Sequence, residues 1–166
     1  VASALDFPTV GVMTSMGKAA EAAELVRQGA AEIDIGVQIG WLKSGMYKEF
    51  ESDIAGVVKA AGVPIKVMLE LPLLTEKERE IAVELSISAG ASYLKNASSG
   101  QVETANPTSI RYLVERAKGG AKVKASGSIK SLAQAQELIA AGAVLLGTSA
   151  GIEIISNSTT ERTESY

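Results

Sequence analysis

Five times along this chain a Gly next to Ala or Val separates a stretch of helical periodicity from a short apolar run. The pairs are Gly29-Ala30, Gly62-Val63, Gly90-Ala91, Gly120-Ala121 and Gly142-Ala143. A Gly there suits the left-handed residue that ends a helix. The apolar runs predict strands over 32–39, 65–71, 92–95, 122–125 and 144–147, with another over 1–7. Helices are expected over 15–28, 46–61, 76–89, 107–118 and 132–141, with a short one near 150–156. Their starts are legible: Thr75 to Glu78 and Ser131 to Gln134 fit the capping box, and Asn106-Pro107 supplies an N-cap followed by Pro at the first helical position. Strands and helices alternating with a period of about thirty residues mean βα units and a parallel sheet.

Strand parity chooses between an open doubly wound sheet and a barrel. Asp34, Gly36 and Gln38 share one strand face, opposite Ile33, Ile35, Val37 and Ile39. Lys66, Met68 and Glu70 face away from Ile65, Val67, Leu69 and Leu71, and Lys122 and Lys124 alternate with Ala121, Val123 and Ala125. Open parallel sheets covered by helices on both faces run apolar throughout. One polar face fits a (β/α) barrel interior better, so the expected class is α/β of the TIM (β/α)8-barrel type. Six units are present where a closed barrel has eight. The expected layout is a barrel domain over 1–156, incomplete at its N-terminus, and a flexible tail over 157–166.

Composition narrows the chemistry. The chain has neither Cys nor His, which removes thiolate metal sites, cysteine nucleophiles and the commonest acid–base group. No metal site and no cofactor are expected. A net charge of −3 without a basic cluster argues against a nucleic-acid partner. No apolar run has the length of a membrane span, and no secretory leader is visible, so a soluble cytoplasmic protein is expected.

The chemistry then falls to lysines. Lys95 and Lys124 lie at or near the C-terminal ends of predicted strands, where barrel active sites form. A buried ammonium is costly unless paired or neutral. One reading is an amine nucleophile with a second cation beside it; the other is a pair of structural lysines matched to Asp34 and Glu70. Those two carboxylates share the polar face and can move protons or hold a lysine. Asp6 is expected to serve a turn beside Pro8. Gly127-Ser128 and Thr148-Ser149 follow the last two strands, the recurring place for a phosphate in barrels.

These segments together resemble deoxyribose-phosphate aldolase, a class I aldolase. The likeness rests on Glu32 to Ile35, Lys66 to Glu70, Leu94 to Gly100, Val123 to Lys130 and Gly147 to Gly151, in family order. The resemblance implies reversible, metal-free cleavage of 2-deoxyribose 5-phosphate to acetaldehyde and glyceraldehyde 3-phosphate. It implies that Lys95 forms the Schiff base, that Lys124 lowers the pKa of Lys95, and that Asp34 activates a relay water. It further implies that Gly127, Ser128, Thr148 and Ser149 hold the phosphate, and that Tyr166 protonates the enamine. Four segments depart from the family pattern: Asn96 replaces the usual Thr, Ser128 the second Gly of a pair, and Leu71-Pro72 a Thr-Gly, while 101–104 is less Gly-rich and carries Glu103. The chain begins at what corresponds to the family's third strand. A longer parent protein, a completing partner segment, or a shortened relative would each account for that; the expected partners are a sugar phosphate and a homo-oligomer or completing segment. A non-catalytic phosphometabolite-binding or assembly protein that keeps the fold is the alternative function, and a related barrel lyase or isomerase the third.

Overall fold

The computed structural model describes residues 1–8 and 10–156. Six strands form one parallel sheet in sequential order: β1 (Ala2–Leu5), β2 (Glu32–Gly36), β3 (Ile65–Met68), β4 (Tyr93–Lys95), β5 (Lys122–Ser126) and β6 (Leu145–Gly147). Helices alternate with them: α1 (Ser15–Arg27), α2 (Ile39–Lys43), α3 (Tyr47–Ala61), α4 (Glu76–Ser88), α5 (Pro107–Ala117), α6 (Leu132–Ala140) and α7 (Gly151–Ser156). Sequential parallel order, with each connection long enough for a helix, is the pattern of a (β/α) barrel wall.

The register explains the parity of the sequence. Asp34 pairs with Lys66 and Lys66 with Tyr93; one step further on the same face, Gly36 pairs with Met68, Met68 with Lys95 and Lys95 with Lys124. The intervening row, Ile35, Val67, Leu94 and Val123, belongs to the apolar core together with Phe50, Ile54 and Val57 of α3 and Ile110 and Leu113 of α5. The helices therefore cover the apolar face, and the charged side chains collect on the other.

Three strands end earlier than periodicity alone suggests, and the first of them, β1, stops at Leu5 rather than 7, where Asp6 takes φ 55°. β2 stops at Gly36 rather than 39: the Gln38 side chain donates to Met13 O at 2.7 Å, and the chain turns at once into α2. β3 stops at Met68 rather than 71, because Glu70 adopts φ 52° and the chain enters a 3-10 turn over Leu71–Leu73 that contains Pro72. The capping box at Thr75 is complete, with both reciprocal bonds to Glu78. At Ser131 only half of one forms, since Gln134 accepts from Lys130 N instead of the cap's own N–H. Four of the five expected helix-ending glycines have positive φ; after α5, Lys118 and Gly119 take that conformation and Gly120 does not.

Candidate active site

The polar ends of β2 to β5 converge on one carboxylate. Asp34 Oδ2 accepts from Lys124 Nζ at 2.6 Å and from Lys95 Nζ at 3.1 Å. Its other oxygen stands 3.2 Å from Lys66 Nζ, which also lies 2.6 Å from Glu32. All three lysines are fixed by strand register rather than by loops, so their separation depends on the sheet. Lys95 and Lys66 are buried, and Lys124 is half-buried.

The charge count in this cluster is uneven. Three ammoniums face the carboxylates of Asp34 and Glu32, so one lysine can lose its proton at little cost to the others. Burial is the largest influence on Lys95 and lowers its pKa; the Asp34 carboxylate opposes this, and the charge of Lys124 adds to the lowering. The net direction is down, toward a free amine. For Asp34 burial alone would raise the pKa, but Lys95, Lys124 and Lys66 together outweigh it and hold the carboxyl below the ordinary range. Of the ion pairs expected of structural lysines, those to Asp34 form, while among the described residues no lysine stands within ion-pair distance of Glu70; the Asp34 pairs coexist with the electrostatics of an amine nucleophile.

Glu70 stands at the next position along. It is buried, and burial raises its pKa; one oxygen accepts from Ser98 N at 2.6 Å, while Oε2 has no hydrogen-bond partner among the described residues. Glu70 thereby ties the end of β3 to the segment that follows Lys95. Its backbone, at φ 52°, is of the kind that clusters at functional sites.

The two Gly-Ser segments lie side by side. Thr148 donates to Ile129 O at 2.6 Å and accepts from Ala150 N at 2.9 Å, so its hydroxyl joins the loop after β6 to the loop after β5. Ser149 is exposed. Gly127 has φ 121°, and a methyl group there would meet Glu103 O at 2.0 Å. Ser128 also has positive φ, 49°, in a place where Gly would be relaxed. Its Oγ would be 2.0 Å from a methyl group on Gly100, so the Lys95 loop and the β5 loop touch at this point. The structure thus brings Lys95, Lys124 and Asp34 together and sets Gly127, Ser128, Thr148 and Ser149 in adjoining loops. Tyr166 lies outside the described residues.

A second buried charge cluster escaped sequence reasoning. Lys18 of α1 is fully buried, 2.8 Å from Asp53 of α3 and 3.1 Å from Asp6, and it donates to Gly36 O at 2.8 Å. Asp6 further accepts the N–H groups of Gly11, Val12 and Met13. The turn role expected of Asp6 is therefore joined by ion pairing. Lys66 and Glu32 also enter the site without having been assigned a role there. Among the described residues no group of acidic side chains is placed to hold a metal ion, and no helix is long and apolar enough to cross a membrane.

Known proteins resemble this chain in sequence and in fold. No protein-family profile matches the chain. The deoxyribose-phosphate aldolase of Crocosphaera subtropica is 43% identical over 155 residues, covering 93% of this chain and 69% of that protein. The enzyme of the same name from Methanothermobacter thermautotrophicus is 42% identical over 156 residues, covering 93% and 69%. Among solved structures, an aldolase called QR15 superposes with a TM-score of 0.88 at 36% identity, over 95% of this chain and 71% of its own. The tetrameric deoxyribose phosphate aldolase of Aeropyrum pernix gives 0.84 at 31%, over 94% and 66%.

Proposed function

Because the chain belongs to the deoxyribose-phosphate aldolase family, we propose that it is a lyase cleaving 2-deoxy-D-ribose 5-phosphate, reversibly, to acetaldehyde and glyceraldehyde 3-phosphate through a Schiff base on Lys95. The observation that carries the reading is the sharing of Asp34 Oδ2 by Lys95 and Lys124 beside two adjoining Gly-Ser loops.

The unprotonated Lys95 amine attacks the C1 carbonyl of the open-chain sugar, giving a carbinolamine. Loss of water leaves a protonated imine. Asp34, within reach of both lysines, orients the water that carries these protons. The C3 hydroxyl gives up its proton and the C2–C3 bond breaks. The bonding electrons enter the iminium, which acts as the electron sink, and glyceraldehyde 3-phosphate departs. The remaining enamine takes a proton at carbon, and water hydrolyses the imine to release acetaldehyde and free Lys95. Tyr166 is our candidate donor for that carbon. Lys124 supplies the neighbouring positive charge that favours a neutral Lys95 and a developing alkoxide. Backbone N–H groups around Gly127 and Ser128, with the Thr148-Ser149 loop, receive the phosphate. The reading carries with it a place in deoxynucleotide breakdown, a cytoplasmic location and a homo-oligomer, the last in keeping with the tetrameric Aeropyrum pernix relative.

Borohydride reduction in the presence of acetaldehyde tests it. The expected product is a stable ethyl adduct on Lys95, mapped by peptide mass spectrometry and lost in Lys95→Met. An adduct confined to other lysines, or none at all, rejects the mechanism.

A further inference from the structure

Asn96 follows Lys95 directly and is fully buried. Its carboxamide reads the neighbouring strand as if it were backbone. Asn96 Oδ1 accepts from Ser126 N at 2.9 Å, and Nδ2 donates to Ser126 O at 3.0 Å. The second amide hydrogen goes to Glu103 Oε2 at 2.7 Å. Glu103 Oε1 in turn accepts from Asn106 and Ser109, the N-cap and first turn of α5. Both amide hydrogens of Asn96 are therefore spent within the protein.

The residues on the far side of the clasp are the phosphate loop. Ser126 precedes Gly127, whose carbonyl accepts from Ala105 N at 2.9 Å and whose Cα rests against the Glu103 carbonyl. One side chain thus joins three pieces: the strand bearing Lys95, the strand leading into Gly127-Ser128, and the 103–106 segment packed behind that loop. A Thr at position 96 has one hydroxyl and cannot pair with a peptide N–H, its carbonyl and a carboxylate at once.

We propose that Asn96 is a positioning residue for the phosphate end of the site: by holding the Ser126 peptide and the Glu103 carboxylate together, it sets where Gly127 and Ser128 stand relative to Lys95. The inference rests on the aldolase reading, in which that loop receives the substrate's phosphate. It also gives Glu103 a purpose. An acidic residue beside a phosphate loop is repulsive unless its oxygens are committed elsewhere, and here Asn96, Asn106 and Ser109 occupy them.

The test compares 2-deoxyribose 5-phosphate with unphosphorylated 2-deoxyribose on the full chain. Asn96→Ala is expected to raise KM for the phosphorylated substrate about tenfold, the scale of a lost buried clasp, with kcat within about threefold. Its kcat/KM for 2-deoxyribose stays within about threefold of the parent, and inhibition by inorganic phosphate weakens in step with KM. Asn96→Asp points an acceptor at Glu103 and is the more damaging change. Adding Glu103→Gln returns a donor to that contact and recovers part of the loss, the Ser126 carbonyl still lacking its donor. Equal losses on both substrates, no change on either, or no rescue of Asn96→Asp by Glu103→Gln overturns the proposal. Should Asn96→Ala not fold, the Asn96→Asp and Asn96→Asp/Glu103→Gln pair decides alone. An unmodified chain that binds neither phosphate nor the sugar phosphate rejects the aldolase reading itself, and does so before any variant is made.

Discussion

Replacing Asp34 with Asn keeps the side chain's shape and removes the charge on which three lysines converge. At 2.6, 3.1 and 3.2 Å from the carboxylate, each ammonium has a gross attraction of about 5–6 kcal/mol at an effective dielectric of 20. Desolvation cancels much of that, and removing one partner of a buried pair costs a net ~3–5 kcal/mol because the surviving charge is left exposed to an apolar interior. Asp34→Asn is therefore expected to destabilise by about 3–5 kcal/mol at pH 7. With a urea slope of about 2 kcal/mol per molar, the midpoint falls by about 2 M. The pH dependence has a definite sign. The Asp34 carboxyl sits below its ordinary pKa of 3.8, so its stabilising contribution is complete above that value and is lost as pH falls through the lower, folded-state value. The gap between parent and variant should be constant from pH 7 to about 5 and narrow steadily below 3.8. Urea unfolding of both chains, followed by far-UV circular dichroism across that range, measures it. A gap that stays unchanged down to pH 3 would mean that the lysines do not depend on this carboxylate, and the charge-cluster argument would fail. The same variant should lose about 10²–10⁴ in kcat if Asp34 directs proton transfer.

Lys95→Met should abolish the borohydride adduct and yet raise the urea midpoint at pH 7. The Lys95 pKa is lowered on folding, so the native state carries an electrostatic cost that is full below the folded-state value and relieved as pH climbs toward 10.5; the gain of the variant should shrink over that interval, and a gain that grows with pH contradicts the assignment. Lys18→Met leaves Asp6 and Asp53 buried without their common cation, an expected loss of about 3–5 kcal/mol in chemical denaturation. A loss below 1 kcal/mol would show that the backbone donors to Asp6 and the Ser15 hydroxyl on Asp53 suffice without it.

The barrel-type sheet was legible because period-2 patterning survives wherever a strand has two different faces. Asp34, Lys66 and Lys124 alternate with Ile, Val and Ala within single strands, and the register gathers that alternation onto one face in two adjacent rows, Asp34 with Lys66 and Lys95 with Lys124. The strand ends were harder to read. Val37 to Ile39 and Leu69 to Leu71 continue the apolar alternation past the last residue of β2 and β3, so periodicity has no means of stopping there. What stops them is tertiary: the Gln38 amide reaching Met13, and the bend at Glu70 that delivers its carboxylate to Ser98. Capping residues were readable where side chain and backbone are neighbours in sequence, as at Thr75 and Asn106. The half-formed box at Ser131 was not, because Gln134 has a competing donor in Lys130.

The second charge cluster had a signal that a strand-centred reading passes over. Lys18 is followed at helical spacing by the buried Ala22 and the core-packed Leu25, and Asp53 sits among Phe50, Ile54 and Val57 on the apolar face of α3. A charge on an otherwise apolar helix stripe demands a buried partner. Two such charges of opposite sign, on helices that pack together, nominate each other. The same reasoning would have drawn Asp6 into the cluster, since a carboxylate at the end of β1 faces the start of α1. Asn96 shows the opposite limit. By type it reads only as a departure from the family's Thr, and its meaning depends on Ser126 and Glu103 being within 3.0 Å of one amide. A substitution at a buried polar position has to be judged by the whole set of partners it satisfies. At position 96 that set reaches from the lysine strand to the phosphate loop, which is why the change is better read as a compensated alteration of the site than as decay of its chemistry.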